Sequence, residues 1–184
     1  MKFRSIEKIA LFEVDGVMTD GSIYISELVE HFTSFNVKDS LAIELLRVHG
    51  DKLGVISGKC SSSLIKRCQV LEFDVIEAGC KNKLTKLREI CERLSINNES
   101  IAFCGGDVLD VPIMCKCGLS ASPNDAYQLA IDTASWVYDK KGGQGFVRDF
   151  VDNLLMSQIN KLLSDLYQPL LDKIEADDVE GLEQ

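Results

Sequence analysis

The chain has 184 residues, 46% of them hydrophobic and 27% charged, with a formal net charge of −9. That length and apolar content suit one domain with a substantial core, and the acidic balance argues against nucleic acid or an anionic membrane surface as a partner. No apolar run reaches membrane-spanning length, the first residues lack a signal-peptide core, and the seven cysteines form no CxxC pair. The cysteines therefore read as reduced thiols and the chain as cytoplasmic.

In chain order, residues 9–12 (IALF) are apolar on both faces, as a central strand of a parallel sheet is. They run into Glu13, Asp15 and Gly16, then Thr19 and Asp20. Carboxylates at the carboxyl end of a buried strand stand where open α/β sheets place ligands. Residues two apart on an extended segment point the same way, so Glu13 and Asp15 can converge on one cation or one substrate group. An acidic turn without chemistry is the plain reading of the same residues.

Residues 22–35 alternate apolar and polar side chains and predict a β-hairpin turning at 27–28. A helix over 41–49 stopped by Gly50 follows, then a strand over 52–56 that ends at Ser57 and Gly58. Next come a helix over 62–69, a short strand around 73–76, and a helix over 84–94 opened by Lys83, with Leu84, Leu87, Ile90, Cys91 and Leu94 in one stripe. A strand over 100–104 ends in Gly105, Gly106 and Asp107, with Asp110 beyond. A helix over 111–116, a strand over 118–121, a helix opened by residues 123–125, and a strand over 135–138 precede the Gly-rich stretch 140–145. One long helix is predicted over 146–166, and the acidic end, 169–184, is predicted to fray.

Alternating strands and helices define an α/β class: a Rossmann-like three-layer sandwich with a mainly parallel sheet, one domain over 1–168 with the hairpin as its insertion. Parallel strands bring Glu13, Asp15, Ser57, Gly58, Lys83, Asp107 and Asp110 to one sheet edge. Carboxylates around Mg²⁺, a serine hydroxyl, backbone N–H groups at a helix start and one lysine suit phosphoryl transfer. Ordinary roles exist for each: Ser57-Gly58 as a strand-to-helix turn, Lys83 as a helix-start lysine, Asp107 and Asp110 as carboxylates offsetting a helix dipole.

The segments VDGVMTDGSIY, FNVKDS, VISGK, the helix start at Lys83, GLSASPNDA and KKGGQGFVRDF occur in an order that resembles the haloacid dehalogenase superfamily of phosphatases. Within it the chain is similar to the capless subgroup of 3-deoxy-manno-octulosonate 8-phosphate phosphatases and sialic-acid-type 9-phosphate phosphatases, over roughly residues 8–152. The resemblance implies a Mg²⁺-dependent phosphomonoesterase acting on a sugar-acid phosphate. It makes the carboxylate at 13 the nucleophile, Asp15 the acid/base and a metal ligand through its carbonyl, and Ser57 and Gly58 the phosphate binders. Lys83 would stabilise charge and bind phosphate, and Asp110 would orient the metal site formed with Glu13 and Asp15, with Asp107 the nearby acid that could be recruited as a further metal ligand. It further implies a homotetramer built through the hairpin, with Lys141, Gly143 and Arg148 reaching substrate in a neighbouring subunit.

The chain departs from that pattern inside the site. Glu13 stands where the family has aspartate, Gly106 where it has a metal-binding aspartate, Leu109 where it has asparagine, and Lys59 where arginine is usual. A longer acid moves the attacking oxygens by ~1.5 Å, and a misplacement of about 1 Å costs roughly 10²-fold. A lost carboxylate weakens Mg²⁺, which has few protein contacts to spare. The alternative reading is a catalytically degenerate oligomer that binds a ligand or partner.

Overall fold

A computed structural model describes residues 9–25 and 33–178. Six strands, β1 (Ile9–Phe12), β2 (Lys52–Ile56), β3 (Val75–Glu77), β4 (Ile101–Cys104), β5 (Leu119–Pro123) and β6 (Trp136–Tyr138), form one sheet in the order β3-β2-β1-β4-β5-β6. All five pairings are parallel. The order reverses between β1 and β4, which is where a doubly wound sheet opens its ligand crevice.

Among the described residues, seven α-helices cover the sheet: α1 (Val37–Val48), α2 (Ser62–Val70), α3 (Lys83–Leu94), α4 (Val111–Met114), α5 (Gln128–Thr133), α6 (Phe146–Ile159) and α7 (Leu163–Glu175). Strand β1 shows why both faces must be covered. Ala10 and Phe12 pack with α1 and α6, while Ile9 and Leu11 pack with α3 and α4. Phe12 meets Phe150 edge-on, with ring centroids 6.1 Å apart. Each fully buried side chain of this kind contributes about 1.5–3 kcal/mol, so the strand that carries Glu13 is held rigidly from both sides.

Several expected elements shift. Helix α1 starts four residues earlier than predicted, because Asn36 caps it by accepting from the Lys38 N–H at 2.9 Å. Residues 123–125 do not open a helix; α5 begins at Gln128, and α4 stops at Met114. The single helix expected over 146–166 is two, divided at Asn160, whose φ of 53° ends α6 in a left-handed cap. Of the tail expected to fray, residues 169–175 are helical instead, since α7 runs to Glu175 with Pro169 inside it, and residues 179–184 lie outside the described residues. Leu166 and Leu170 flank that proline and are buried, and this packing outweighs the missing N–H. His49 Nε2 lies 2.9 Å from the Leu166 carbonyl and joins α1 to α7. Of the expected hairpin, residues 26–32 lie outside the described residues. All seven cysteines are free thiols, and no helix among the described residues is long and apolar enough to cross a membrane.

Candidate active site

Every strand delivers something to the carboxyl edge of the sheet. Glu13 follows β1 directly, and its N–H donates to the Cys104 carbonyl at 2.9 Å, so its backbone continues the β1–β4 ladder. Its side chain is buried, at 6% exposure. Oε1 accepts from the Ser57 hydroxyl at 3.0 Å, and Oε2 accepts from Lys83 Nζ. Ser57 is fully buried and fixed through its backbone, donating to the Glu77 carbonyl and accepting from the Cys80 N–H, both at 2.9 Å. Its Oγ also accepts from the Lys59 N–H at 3.3 Å. Gly58 beside it is exposed.

Lys83 is the first residue of α3, whose cap is Asn82. Its ammonium bridges Glu13 and Asp110, the latter at 2.5 Å, in a pocket that leaves the lysine 6% exposed and Asp110 fully buried. The other Asp110 oxygen accepts from the N–H groups of Gly106 at 2.9 Å and Asp107 at 3.0 Å. Burial alone would lower the Lys83 pKa, but the Glu13 and Asp110 charges outweigh it and leave the ammonium above its ordinary value. Burial pushes the Glu13 carboxyl up, and Lys83 pulls it back without cancelling the shift. The result is a fixed cation between two carboxylates.

The remaining acids are placed differently. Asp15 is half-buried in the turn that closes when the Thr19 N–H donates to the Val14 carbonyl at 3.0 Å. Asp107 is exposed and spends Oδ1 on the Val108 N–H at 2.5 Å, so it caps its own turn. Among the described residues no group of three or more His, Cys, Asp or Glu side chains is arranged to hold a metal. Glu13, Asp15, Asp107 and Asp110 therefore do not assemble into a four-carboxylate cage. Gly106 stands open: a Cβ there would meet Val17 Cγ2 at 3.4 Å and the Gly16 carbonyl at 3.5 Å, both ordinary contacts.

The Gly-rich stretch lies against this turn within its own chain. A Cβ on Gly142 would come 2.1 Å from the Gly16 carbonyl oxygen, so only glycine lets the two backbones approach this closely. Gly143 donates its N–H to the Val17 carbonyl at 2.9 Å. Lys141 is exposed. Arg148 donates to the Lys38 carbonyl at 3.2 Å, pairs with Asp152 at 3.7 Å and lies 4.7 Å over the Tyr167 ring. Gly143 and Arg148 are thus engaged inside their own subunit.

Three residues assigned no role from the sequence hold this strap. Asp125 accepts from the Gly142 N–H at 3.0 Å, Asn36 Nδ2 donates to the Gly143 carbonyl at 3.0 Å, and Asp39 Oδ1 accepts from the Arg148 N–H at 3.0 Å. The stretch FNVKDS carried the signal as an Asn-x-x-Asp helix start. Asp39 Oδ2 and Arg67 Nε have no partner and line a cavity of about 10 Å³, roughly the room one water needs. Burial pushes the Asp39 carboxyl up to about 6, against the pull of the Arg148 and Gly145 N–H groups. Between about pH 4 and 6 the folded state keeps a proton that the unfolded chain has released, so this group's contribution to stability falls as pH rises through that window. Asp39→Asn is expected to stabilise the protein at pH 7 by about 2–3 kcal/mol and to leave stability at pH 4 unchanged. Urea unfolding at the two pH values checks this, and an equal effect at both would contradict it.

A doubly wound parallel sheet with a carboxylate–lysine–carboxylate cluster at its switch point is the architecture of haloacid-dehalogenase-type phosphatases. No protein-family model matches the chain. The 3-deoxy-D-manno-octulosonate 8-phosphate phosphatase of Escherichia coli K12 is 34% identical over 151 residues, 82% of this chain and 80% of the relative. Two solved phosphatases of that name are similar in fold. One, from Moraxella catarrhalis, is in complex with a magnesium ion, a phosphate ion and the sugar acid; it has a TM-score of 0.80 and 29% identity over 86% of this chain and 90% of its own. The other, a cobalt-bound form from Haemophilus influenzae, has a TM-score of 0.79 and 30% identity over 83% of this chain and 89% of its own. The chain belongs to the 3-deoxy-D-manno-octulosonate 8-phosphate phosphatase family of the haloacid dehalogenase superfamily.

Proposed function

We propose that the protein is a Mg²⁺-dependent phosphomonoesterase acting on the phosphate of a 3-deoxy sugar acid. The observation that carries this reading is the buried Glu13–Lys83–Asp110 cluster at the β1/β4 switch point, with the Ser57 hydroxyl on Glu13. Mg²⁺ is commonly held by one or two carboxylates with substrate phosphate and water completing its shell. Glu13 and Asp15 fit that minimal donor set and would hold the ion, which would neutralise phosphoryl charge when bound.

The remaining work falls to the chain. Lys83 fixes the Glu13 carboxylate, and one of its oxygens forms the bond to phosphorus as the ester P–O bond breaks. Asp15 gives its proton to the leaving alcohol and takes one from the water that later releases phosphate. The Ser57 hydroxyl and the exposed Gly58 N–H bind phosphoryl oxygens. The enzyme acts as a homotetramer in this reading, supported by the exposure of Ile23, Tyr24 and Ile25 (53%, 41% and 74%) in the first arm of the predicted hairpin.

The test is phosphate release from a panel of sugar-acid phosphates with Mg²⁺, on protein whose mass in solution is measured by light scattering. Turnover of one substrate, lost at least about 10³-fold in Glu13→Gln, is the expected result. Folded protein that releases phosphate from none of them overturns the reading. The second reading, a non-catalytic ligand-binding oligomer, is favoured by the engagement of both Glu13 oxygens by Ser57 and Lys83.

A further inference from the structure

We infer that Asp39 is a positioning residue for Asp15: from α1 it caps α6, and so holds the Gly-rich strap against the turn that carries the acid. The role of Asp15 as the acid rests on the phosphatase reading, and Asp39 acts on it without touching substrate.

Helix α6 begins where the strap ends, and it has no cap of its own. Its N-cap is Gly145, at a φ of 94°, and glycine has no side chain to accept from the first-turn N–H groups. Arg148 is the third residue of α6, the position whose N–H an N-cap side chain ordinarily takes. Asp39 Oδ1 takes it instead, at 3.0 Å, from 109 residues earlier in the chain. A carboxylate there also suits the positive end of the helix dipole. Helix α1 is a firm base for it, because Ile43, Leu45 and Leu46 are fully buried and Asn36 caps α1 separately.

From Gly145 the connection runs back along the strap. The Gly143 N–H donates to the Val17 carbonyl at 2.9 Å, and Gly142 lies against the Gly16 carbonyl, one residue from Asp15. Asn36 and Asp125 also hold the strap, but one is half-buried and the other exposed, where water can take over a lost bond. Asp39 is 3% exposed, so removing its carboxyl leaves the Arg148 N–H facing a buried gap. Oδ2 accepts no hydrogen bond, so Oδ1 alone makes the contact and the amide oxygen of Asp39→Asn can replace it.

Wild type, Asp39→Asn and Asp39→Ala are compared by amide hydrogen exchange and by kcat/KM with magnesium chloride. The substrates are para-nitrophenyl phosphate, whose leaving group needs no proton, and the sugar-acid phosphate turned over in the panel, whose alcohol needs the acid. Asp39→Ala is expected to speed exchange over residues 14–19 and 141–148 at least about tenfold and to leave α3 unchanged. Its kcat/KM is expected to fall about 10²-fold on the sugar-acid phosphate and less than about tenfold on para-nitrophenyl phosphate. Asp39→Asn is expected to restore both. Unchanged exchange in Asp39→Ala, equal losses on the two substrates, or an equal defect in the two variants overturns the inference. So does an Asp39→Ala protein that does not fold, since Asp39 would then hold the fold rather than the strap. Wild type that turns over neither substrate overturns the phosphatase reading instead, and exchange alone then decides whether Asp39 holds the strap.

Discussion

Lys83→Met is expected to destabilise the folded protein by about 3–5 kcal/mol and to abolish phosphate release. The methionine keeps the stem and removes the charge. Glu13 and Asp110, 6% and 0% exposed, are then left buried near each other without their common partner. The cost comes from the stranded carboxylates rather than from the value of the ion pair, and this makes the prediction specific. The triple variant Glu13→Gln, Lys83→Met, Asp110→Asn removes all three charges and is expected to recover most of the loss in stability, while staying inactive. Urea unfolding with linear extrapolation measures both. A single variant within about 0.5 kcal/mol of wild type would mean that the three groups are not charged together in the folded state.

Gly142→Ala is expected to lower kcat/KM about 10²-fold or more with a stability loss of only about 1–3 kcal/mol. The added methyl would stand 2.1 Å from the Gly16 carbonyl oxygen and 3.0 Å from that of Thr19, and both are backbone atoms that no rotamer can move. Either the strap or the turn carrying Asp15 must shift by about an ångström. Gly106 faces the same Gly16 carbonyl at 3.5 Å for its would-be Cβ, so Gly106→Ala is expected to be close to neutral in stability. The pair isolates the effect of displacing the acid-bearing turn. Steady-state kinetics beside circular dichroism checks it, and equal activity of the two variants would remove the strap from any catalytic role.

The parts legible in the sequence are those that one physical pattern determines. Buried parallel strands must be apolar on both faces, so IALF, KLGVI and IAFC stand out, and the residues after them mark the sheet edge where Glu13, Ser57 and Asp110 are found. The break at Asn160 was masked by the apolar pattern of α6 continuing into Leu162 and Leu163, although asparagine is the commonest residue after glycine in a left-handed helix cap. Pro169 reads as a stop, and the burial of Leu166 and Leu170 that overrides it belongs to tertiary packing. Asp107 was visible as an acid, but its direction depends on a backbone turn in which it serves as its own cap. FNVKDS marked Asn36 and Asp39 as a helix start, but the strap contacts of Asn36, Asp39 and Asp125 were out of reach because their partners lie 107, 109 and 17 residues away along the chain.

The position of β1 governs how the protein is made. It precedes the other five described strands along the chain, yet it lies in the middle of the sheet, between Lys52–Val55 of β2 and Ile101–Cys104 of β4. Every pairing among the described strands is parallel, so both of its partners in the sheet come from later in the chain. At roughly 5–20 residues per second, the ribosome exposes Ile9–Phe12 for on the order of ten seconds before β4 emerges. Among the described strands, the apolar segment that carries Glu13 is therefore the one that chaperones of the nascent chain have the longest opportunity to bind.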